Sequence, residues 1–297
     1  MEELNNLIKQ CCITYSGNEK CTNCVNGKRC TNVECMDCYQ CIKHIHDITN
    51  KSDIYNCPNM ISNYVIKHFY RFSSEIQYAF EQISKYFKEQ DEISVVSIGC
   101  GPSSELYGVF NGMKNTDMEN VSLDYKGFDI NSIWSPIWEI NQNIYSSSNI
   151  NYYNQNIFDY YKDNTNEHID LLIVNYMLSD MAKFNSESIS VFLDELISFV
   201  KNTNISFVLF NDIPLFYDKL STGYSCMEYV CRGLKDSERI KYKSIRNRFR
   251  DPNEYQPTYG TKYTTCSLKF SIIQECEAFS PFSECGSIQM IIRKLKI

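Results

Sequence analysis

The stretch Val95-Val96-Ser97-Ile98-Gly99-Cys100-Gly101-Pro102-Ser103-Ser104-Glu105-Leu106 decides how this chain is read. An apolar, β-branched run over 93–98 ends at one glycine, a second follows two residues on, and a proline opens the next segment. Such a run suits a strand buried on both faces. Gly99 permits a tight turn, Gly101 lets a ligand approach the backbone, and Pro102 suits the first turn of a helix. A dinucleotide-binding fingerprint would carry a third glycine or alanine where Ser104 stands. That counts against a nicotinamide dinucleotide, and the bare alternative is a tight βα turn with no ligand.

Further along, strand candidates at 123–129, 149–155, 169–175, 204–210, 263–275 and 286–296 alternate with helical stretches near 102–113, 131–146, 186–201 and 217–234. Alternation of this kind predicts a mostly parallel sheet covered by helices on both faces. Only the Ser280–Gly286 turn region separates the last two strands, so they are expected to form an antiparallel hairpin. Before the first strand, Ile61, Val65, Phe69, Phe72, Ile76, Phe80, Ile83 and Phe87 recur at steps of three or four, which predicts a helix. Ser73 and Ser74 are where it would kink or divide. Residues 1–10 read as one short helix.

The chain has 297 residues, 43% of them hydrophobic and 22% charged, which excludes a mainly disordered or fibrous protein. No apolar run approaches the ~18 residues of a membrane helix, so no membrane is expected among the partners. Met1-Glu2-Glu3-Leu4-Asn5-Asn6 has neither a basic region nor an apolar stretch, and no signal peptide is expected. A net charge of −7 disfavours indiscriminate binding to nucleic acid or anionic lipid.

Nine of the 15 cysteines fall within the first 57 residues. With no secretory signal the chain is expected to be cytoplasmic, where a dense cysteine cluster reads as metal binding rather than disulfide framework. Cys21-x2-Cys24, Cys30, Cys35-x2-Cys38-x2-Cys41, His44, His46 and Cys57 are the candidate ligands. Zinc takes four thiolates or imidazoles, so the number suffices for two sites. An iron–sulfur cluster is the rival, because Cys35, Cys38, Cys41 and Cys57-Pro58 partly match a ferredoxin run, although the last spacing is too long. The domains expected are a Cys-rich module over 1–58, a helical linker over 59–90 and a sheet domain over 91–297.

Over residues 90–297 the sequence resembles the class I S-adenosylmethionine-dependent methyltransferases. The resemblance implies a Rossmann-like, seven-stranded, mostly parallel sheet with an antiparallel C-terminal hairpin. It places Ser97, Gly99, Cys100, Gly101 and Pro102 close to the methionine part of the cofactor. It also places Asp129, followed by Ile130, at the end of the second strand, where an acidic residue holds the ribose hydroxyls. After the third strand, Asp159 would face the adenine amino group and Phe158 would pack on the base. Asn175, Tyr176 and Asp180, after the fourth strand, would lie beside the transferred methyl, with Asp212 near the acceptor. The Asn/Asp-Pro-Pro-aromatic motif of exocyclic amino methylation is missing there, as is a Pro-Cys for cytosine C5 chemistry.

From Arg239 to Arg250 the chain holds six basic residues and no acidic one. Read as a helix, Arg239, Lys243, Arg246 and Arg250 share a face and Tyr242, Ile245 and Phe249 share another. A basic face suggests phosphate contacts, hence an RNA acceptor. A protein or small-molecule acceptor, or a non-catalytic protein whose metal module recruits a protein partner, are the other readings. For the Cys-rich module, elemental analysis of anaerobically purified protein is expected to find zinc and no stoichiometric iron. A brown protein absorbing near ~400 nm would support the iron–sulfur rival instead.

Overall fold

In the computed structural model, residues 2–15, 57–145, 148–164, 167–184, 187–214, 222–235, 241–249 and 261–295 are described. Strand β1 (Glu92–Ile98) lies between β2 (Ser122–Phe128) and β4 (His168–Asn175) and is parallel to both. The chain runs outward from β1 through β2 to β3 (Asn149–Tyr153), then returns to β4 and continues to β5 (Asn204–Asp212). Strands β6 (Lys241–Phe249), β7 (Thr261–Thr264) and β8 (Ile288–Leu295) complete the order β3-β2-β1-β4-β5-β8-β6-β7. The order reverses between β1 and β4, and open α/β sheets bind ligands beyond the carboxyl ends of the strands at such a point.

The antiparallel closure differs from the expected hairpin. Strand β8 inserts between β5 and β6 and is antiparallel to both, while the short β7 adds an eighth, parallel strand at the edge. Only four residues near the expected 263–275 strand are extended as β7. The segment after them spends its backbone groups on a helix instead of a strand. Lys269 N–H donates to Ser74 Oγ (2.9 Å), Ile273 N–H to the Tyr70 hydroxyl (3.2 Å) and Phe282 N–H to Lys67 O (2.9 Å).

That helix is α2 (Pro58–Ile83), which follows α1 (Glu2–Thr14) in the described chain. It is not a linker, because Val65, Phe69, Ile76 and Phe80 are buried in one cluster with Val95, Leu171, Ile173 and Leu209 of the sheet. Nor is it divided at its serines. Ser73 Oγ donates to Ser104 O (2.9 Å) and Ser74 Oγ to Tyr70 O (2.6 Å). The lack of a side chain at Gly108 lets α3 (Ser104–Asn115) come close: a Cβ there would collide with the Ser73 carbonyl and Ile76. Helices α4 (Ser135–Ile144) and α9 (Gln274–Glu277) join this face.

On the other face, Val96, Leu172, Val174, Val208 and Phe210 meet α5 (Ile157–Asp163), α6 (Leu178–Phe184), α7 (Ile189–Asn202) and α8 (Gly223–Lys235). Adjacent residues such as Leu172 and Ile173 enter opposite cores, which is why the strands read as unbroken apolar runs. Among the described residues no helix is long and apolar enough to cross a membrane.

The basic segment is a strand, not a helix. With period two, Asn247 and Phe249 turn toward α2, where Asn247 Nδ2 donates to Gln82 Oε1 (3.1 Å) and Phe249 meets Tyr78. Arg246 turns to the opposite face and donates from Nε to Glu228 Oε1 of α8 (2.7 Å). Among the described residues, Lys243 and Arg246 therefore do not share a face; Lys241 and Lys243 are exposed, and Arg239 and Arg250 lie outside the described residues.

Glu75, in the middle of α2, is completely buried. Its Oε1 accepts from the N–H groups of Gly286 (2.8 Å) and Ser287 (3.1 Å), and its Oε2 accepts from Asn211 Nδ2 (3.0 Å). Burial pushes its pKa up, against the pull of those bonds and of Arg71. Removing one member of a buried, fully bonded charged group strands its partners. Glu75→Ala is therefore expected to lower stability by about 3–5 kcal/mol in urea unfolding.

Candidate active site

The glycine turn leaves β1 through three left-handed residues: Gly99 at φ +61°, Gly101 at +48° and Ser103 at +65°. A Cβ on Gly99 would run into the Met177 side chain, so both backbone conformation and space call for glycine there. Cys100 N–H donates to Phe128 O (3.0 Å), which carries the ladder past the ends of β1 and β2. The Gly101 carbonyl accepts from Trp138 Nε1 (2.7 Å), and the Pro102 carbonyl accepts from Asn141 Nδ2 (3.2 Å). The turn is thus held from behind by α4.

Asp129 follows β2 and holds the turn from the front. Its Oδ2 accepts from Gly101 N–H (2.9 Å) and its Oδ1 from Asn131 N–H (2.8 Å). Burial raises its pKa, while the two N–H donors oppose the rise. A carboxylate has about four acceptor positions, so about two stay open for a ligand with paired hydroxyls.

These groups border a cavity of about 440 Å³ at the carboxyl ends of β1 to β4. That is within the size of pockets that enclose one small-molecule ligand. Of the residues expected at a site, Gly99, Cys100, Gly101, Pro102, Asp129 and Ile130 line it, as do Asn175, Tyr176 and Asp180. Ser97 does not; it is buried beneath the turn against the Glu105 carboxyl. Phe158 and Asp159 are also elsewhere. Phe158 packs on Phe192 and Phe199, and Asp159 is 64% exposed and paired with Lys162 at 2.6 Å. Their place is taken by Gln155, Asn156 and Ile157. Asn156 caps α5, its Oδ1 accepting from Phe158 N–H (3.0 Å), and helical geometry then turns the next residues away. An N-cap reading of Asn156-Ile157-Phe158-Asp159 would have found this.

After β4, Tyr176 has φ +52°, rare for a bulky side chain. Its N–H donates to Asn211 O (2.7 Å), its hydroxyl bonds the Glu75 carboxylate and its ring lies 3.7 Å from Phe72. Asn175 Nδ2 donates to Ser104 Oγ (3.1 Å), and its Oδ1 accepts from Asn211 Nδ2 (2.8 Å). Asp180, on α6, has its pKa pushed up to about 6, first by burial and then by the nearby Asp212 carboxylate. Asp212 stands behind the wall, bonded by the N–H groups of Ser179 (3.0 Å) and Ile213 (2.7 Å). Tyr64, Phe72 and Trp134 line the cavity from residues that sequence reasoning assigned to the linker or to an ordinary helix.

Among the described residues no group of three His, Cys, Asp or Glu side chains could hold a metal. Cys57 is buried at the start of α2, while Cys21, Cys24, Cys30, Cys35, Cys38, Cys41, His44 and His46 lie outside the described residues.

No family model matches the chain, and no curated protein matches it. Similar solved structures include a SAM-dependent methyltransferase from Archaeoglobus fulgidus, at 13% identity over 75% of this chain and 94% of that one, with a TM-score of 0.39. A putative class I S-adenosylmethionine-dependent methyltransferase from Listeria monocytogenes is 9% identical over 100% of this chain and 88% of that one, with a TM-score of 0.47. An rRNA methylase from Streptococcus thermophilus is 11% identical over 76% of this chain and 94% of that one, with a TM-score of 0.40.

The raised Asp180 pKa carries a sign that can be measured. In the folded state the carboxyl keeps its proton up to about pH 6, whereas the unfolded chain releases it near the ordinary aspartate value of 3.8. This group therefore costs stability as pH rises from the lower value through the upper one. Asp180→Asn is expected to gain about 1–3 kcal/mol over wild type at about pH 8 and nothing at about pH 4, by urea unfolding. An equal difference at both pH values would refute the assignment.

Proposed function

We propose that the protein is an S-adenosylmethionine-dependent methyltransferase acting on a small molecule. The observation that supports this most is Asp129, a half-buried carboxylate fastened to the glycine turn by the Gly101 N–H on one oxygen and held by the Asn131 N–H on the other. Its remaining acceptor positions suit a ribose diol. The cavity beside it also fits the cofactor: the described side chains lining it include two carboxyls, Asp129 and Asp180, and no Lys, Arg or His. That balance favours a positively charged ligand. Bound there, the cofactor supplies a methyl group on a cationic sulfur.

The protein's part is to align and to desolvate. Gly99 and Gly101 open the backbone to the ligand, and Met177 and Phe192 close the apolar side. Asp180 is suited to take a proton from an acceptor hydroxyl or amine, because a carboxyl poised at about 6 is ionised at neutral pH and still basic enough to accept.

A small-molecule acceptor fits the sheet better than RNA. The RNA reading rested on a groove between the Cys-rich module and a basic helical face; the module lies outside the described residues, and the basic segment is β6. Strand β6 is antiparallel to β8, as is β5, so β5 and β6 run the same way. Lys241 and Lys243 therefore lie toward the end of the sheet away from the cavity, and Arg246, nearer to it, is paired with Glu228. The test of cofactor binding is calorimetry with S-adenosylmethionine and S-adenosylhomocysteine. Asp129→Ala would remove two charge-assisted hydrogen bonds of about 1.5–3 kcal/mol each, so affinity is expected to fall at least tenfold. Equal affinities in wild type and variant would overturn the ribose role.

A further inference from the structure

Two strand spacings, about 10 Å, separate the ends of β2 and β4 at the cavity floor. The polar cradle of Asp129 and Asn156 is at the β2–β3 end. At the β4 end the wall is built from rings. Phe72 lies on Tyr176 with centroids 3.7 Å apart and planes 18° apart. Tyr64 stands 6.2 Å from Phe72 and 5.6 Å from Trp134. We propose that this ring-walled end is the acceptor subsite and that it takes a small, flat, uncharged aromatic molecule. The proposal rests on the methyltransferase reading for the word acceptor, but not for the ligand class.

Three observations carry it. The wall is rigid before anything binds, because Tyr176 is held at φ +52° by its own N–H bond and by the Glu75 carboxylate. Phe72 is buried between Tyr176 and His68 and backs the wall, so the flat faces that can meet a ligand are those of Tyr176 and Tyr64, and aromatic ligands gain most from stacking on them. The charge balance then selects among aromatic molecules. Among the described residues, no cationic side chain lines the cavity to bind a phosphate or carboxylate, and Asp129 and Asp180 repel both. A cation is disfavoured for another reason: it would share the cavity with the cofactor's sulfonium. Finally, His68 backs the wall without charging it. It packs between Tyr64 (4.7 Å) and Phe72 (5.1 Å), and burial with Arg71 and Lys67 nearby pushes its pKa down to about 4.

The test uses the full chain saturated with S-adenosylmethionine, which carries the sulfonium, and titrated calorimetrically with coumarin, a coumarin carboxylate and phenyltrimethylammonium. Coumarin is expected to bind saturably and the two ions at least about tenfold more weakly. Tyr64→Leu and Phe72→Leu are each expected to weaken coumarin about fivefold or more while S-adenosylmethionine affinity stays within about twofold. Either ion binding as tightly as coumarin would overturn the proposal, as would coumarin affinity unchanged in both variants. Failure of S-adenosylmethionine to bind wild type would sink the cofactor reading alone. Coumarin titration of the ligand-free chain and the two variants would then still decide the subsite.

Discussion

A carboxylate shut away from water in the middle of a helix has to be answered by other groups, and Glu75 is answered by almost every layer of this protein. The N–H groups of Gly286 and Ser287 bring the approach to β8 under α2. Asn211 fastens the end of β5 to the same carboxylate and reaches Asn175 on β4. Gln289 Nε2 donates to the Glu75 carbonyl (2.6 Å) and to Asn211 Oδ1 (3.1 Å), which ties β8 into the group. The Tyr176 hydroxyl completes the set from the cavity wall. A hydrophobic contact could slide; a buried charge with directional partners sets one register for α2, β5 and β8 together. The shape of the cavity at the β4 end follows from that register.

The central part of the fold was legible because its physics is local. A β-branched run, two glycines and a proline suffice for strand, turn and helix, and alternating elements imply the doubly wound sheet. Asp129 was legible for the same reason, as the acid at the end of the next strand. The errors arise where distant partners decide. Residues 241–249 show helical spacing of their charges, yet alternating contacts to α2 and α8 make them a strand. The 265–287 region carries apolar residues in plenty but bonds its backbone to α2. Ser73 and Ser74 look like helix breakers and are contacts for α3 and the C-terminal segment.

Within the site, the backbone-lined half could be read and the ring-lined half could not. Gly99, Gly101 and Asp129 advertise their roles by residue type and position. Phe72 belongs to an amphipathic pattern that explains it fully as core, Tyr64 stands outside that pattern, and only the approach of α2 to the ends of β1 and β4 gives them a cavity to line. Phe158 shows the converse: an aromatic residue at a suggestive place, turned against the core by the cap two residues before it.

The insertion of β8 between β5 and β6 has a consequence for how the chain is built. Each of strands β2 to β5 finds a partner already made when it emerges: β2 on β1, β3 on β2, β4 back on β1 and β5 on β4. Strand β6 cannot follow them, since its partner toward the centre is made some forty residues later. Until then β5 ends the sheet with an unpaired edge of apolar residues, Phe207 to Phe210, while β6 and β7 have only each other. Such an edge is where a second chain can add in the wrong place, and non-local pairing is slow because the intervening loop must close first. The protein is therefore most vulnerable to aggregation during the interval between the synthesis of β5 and the arrival of β8.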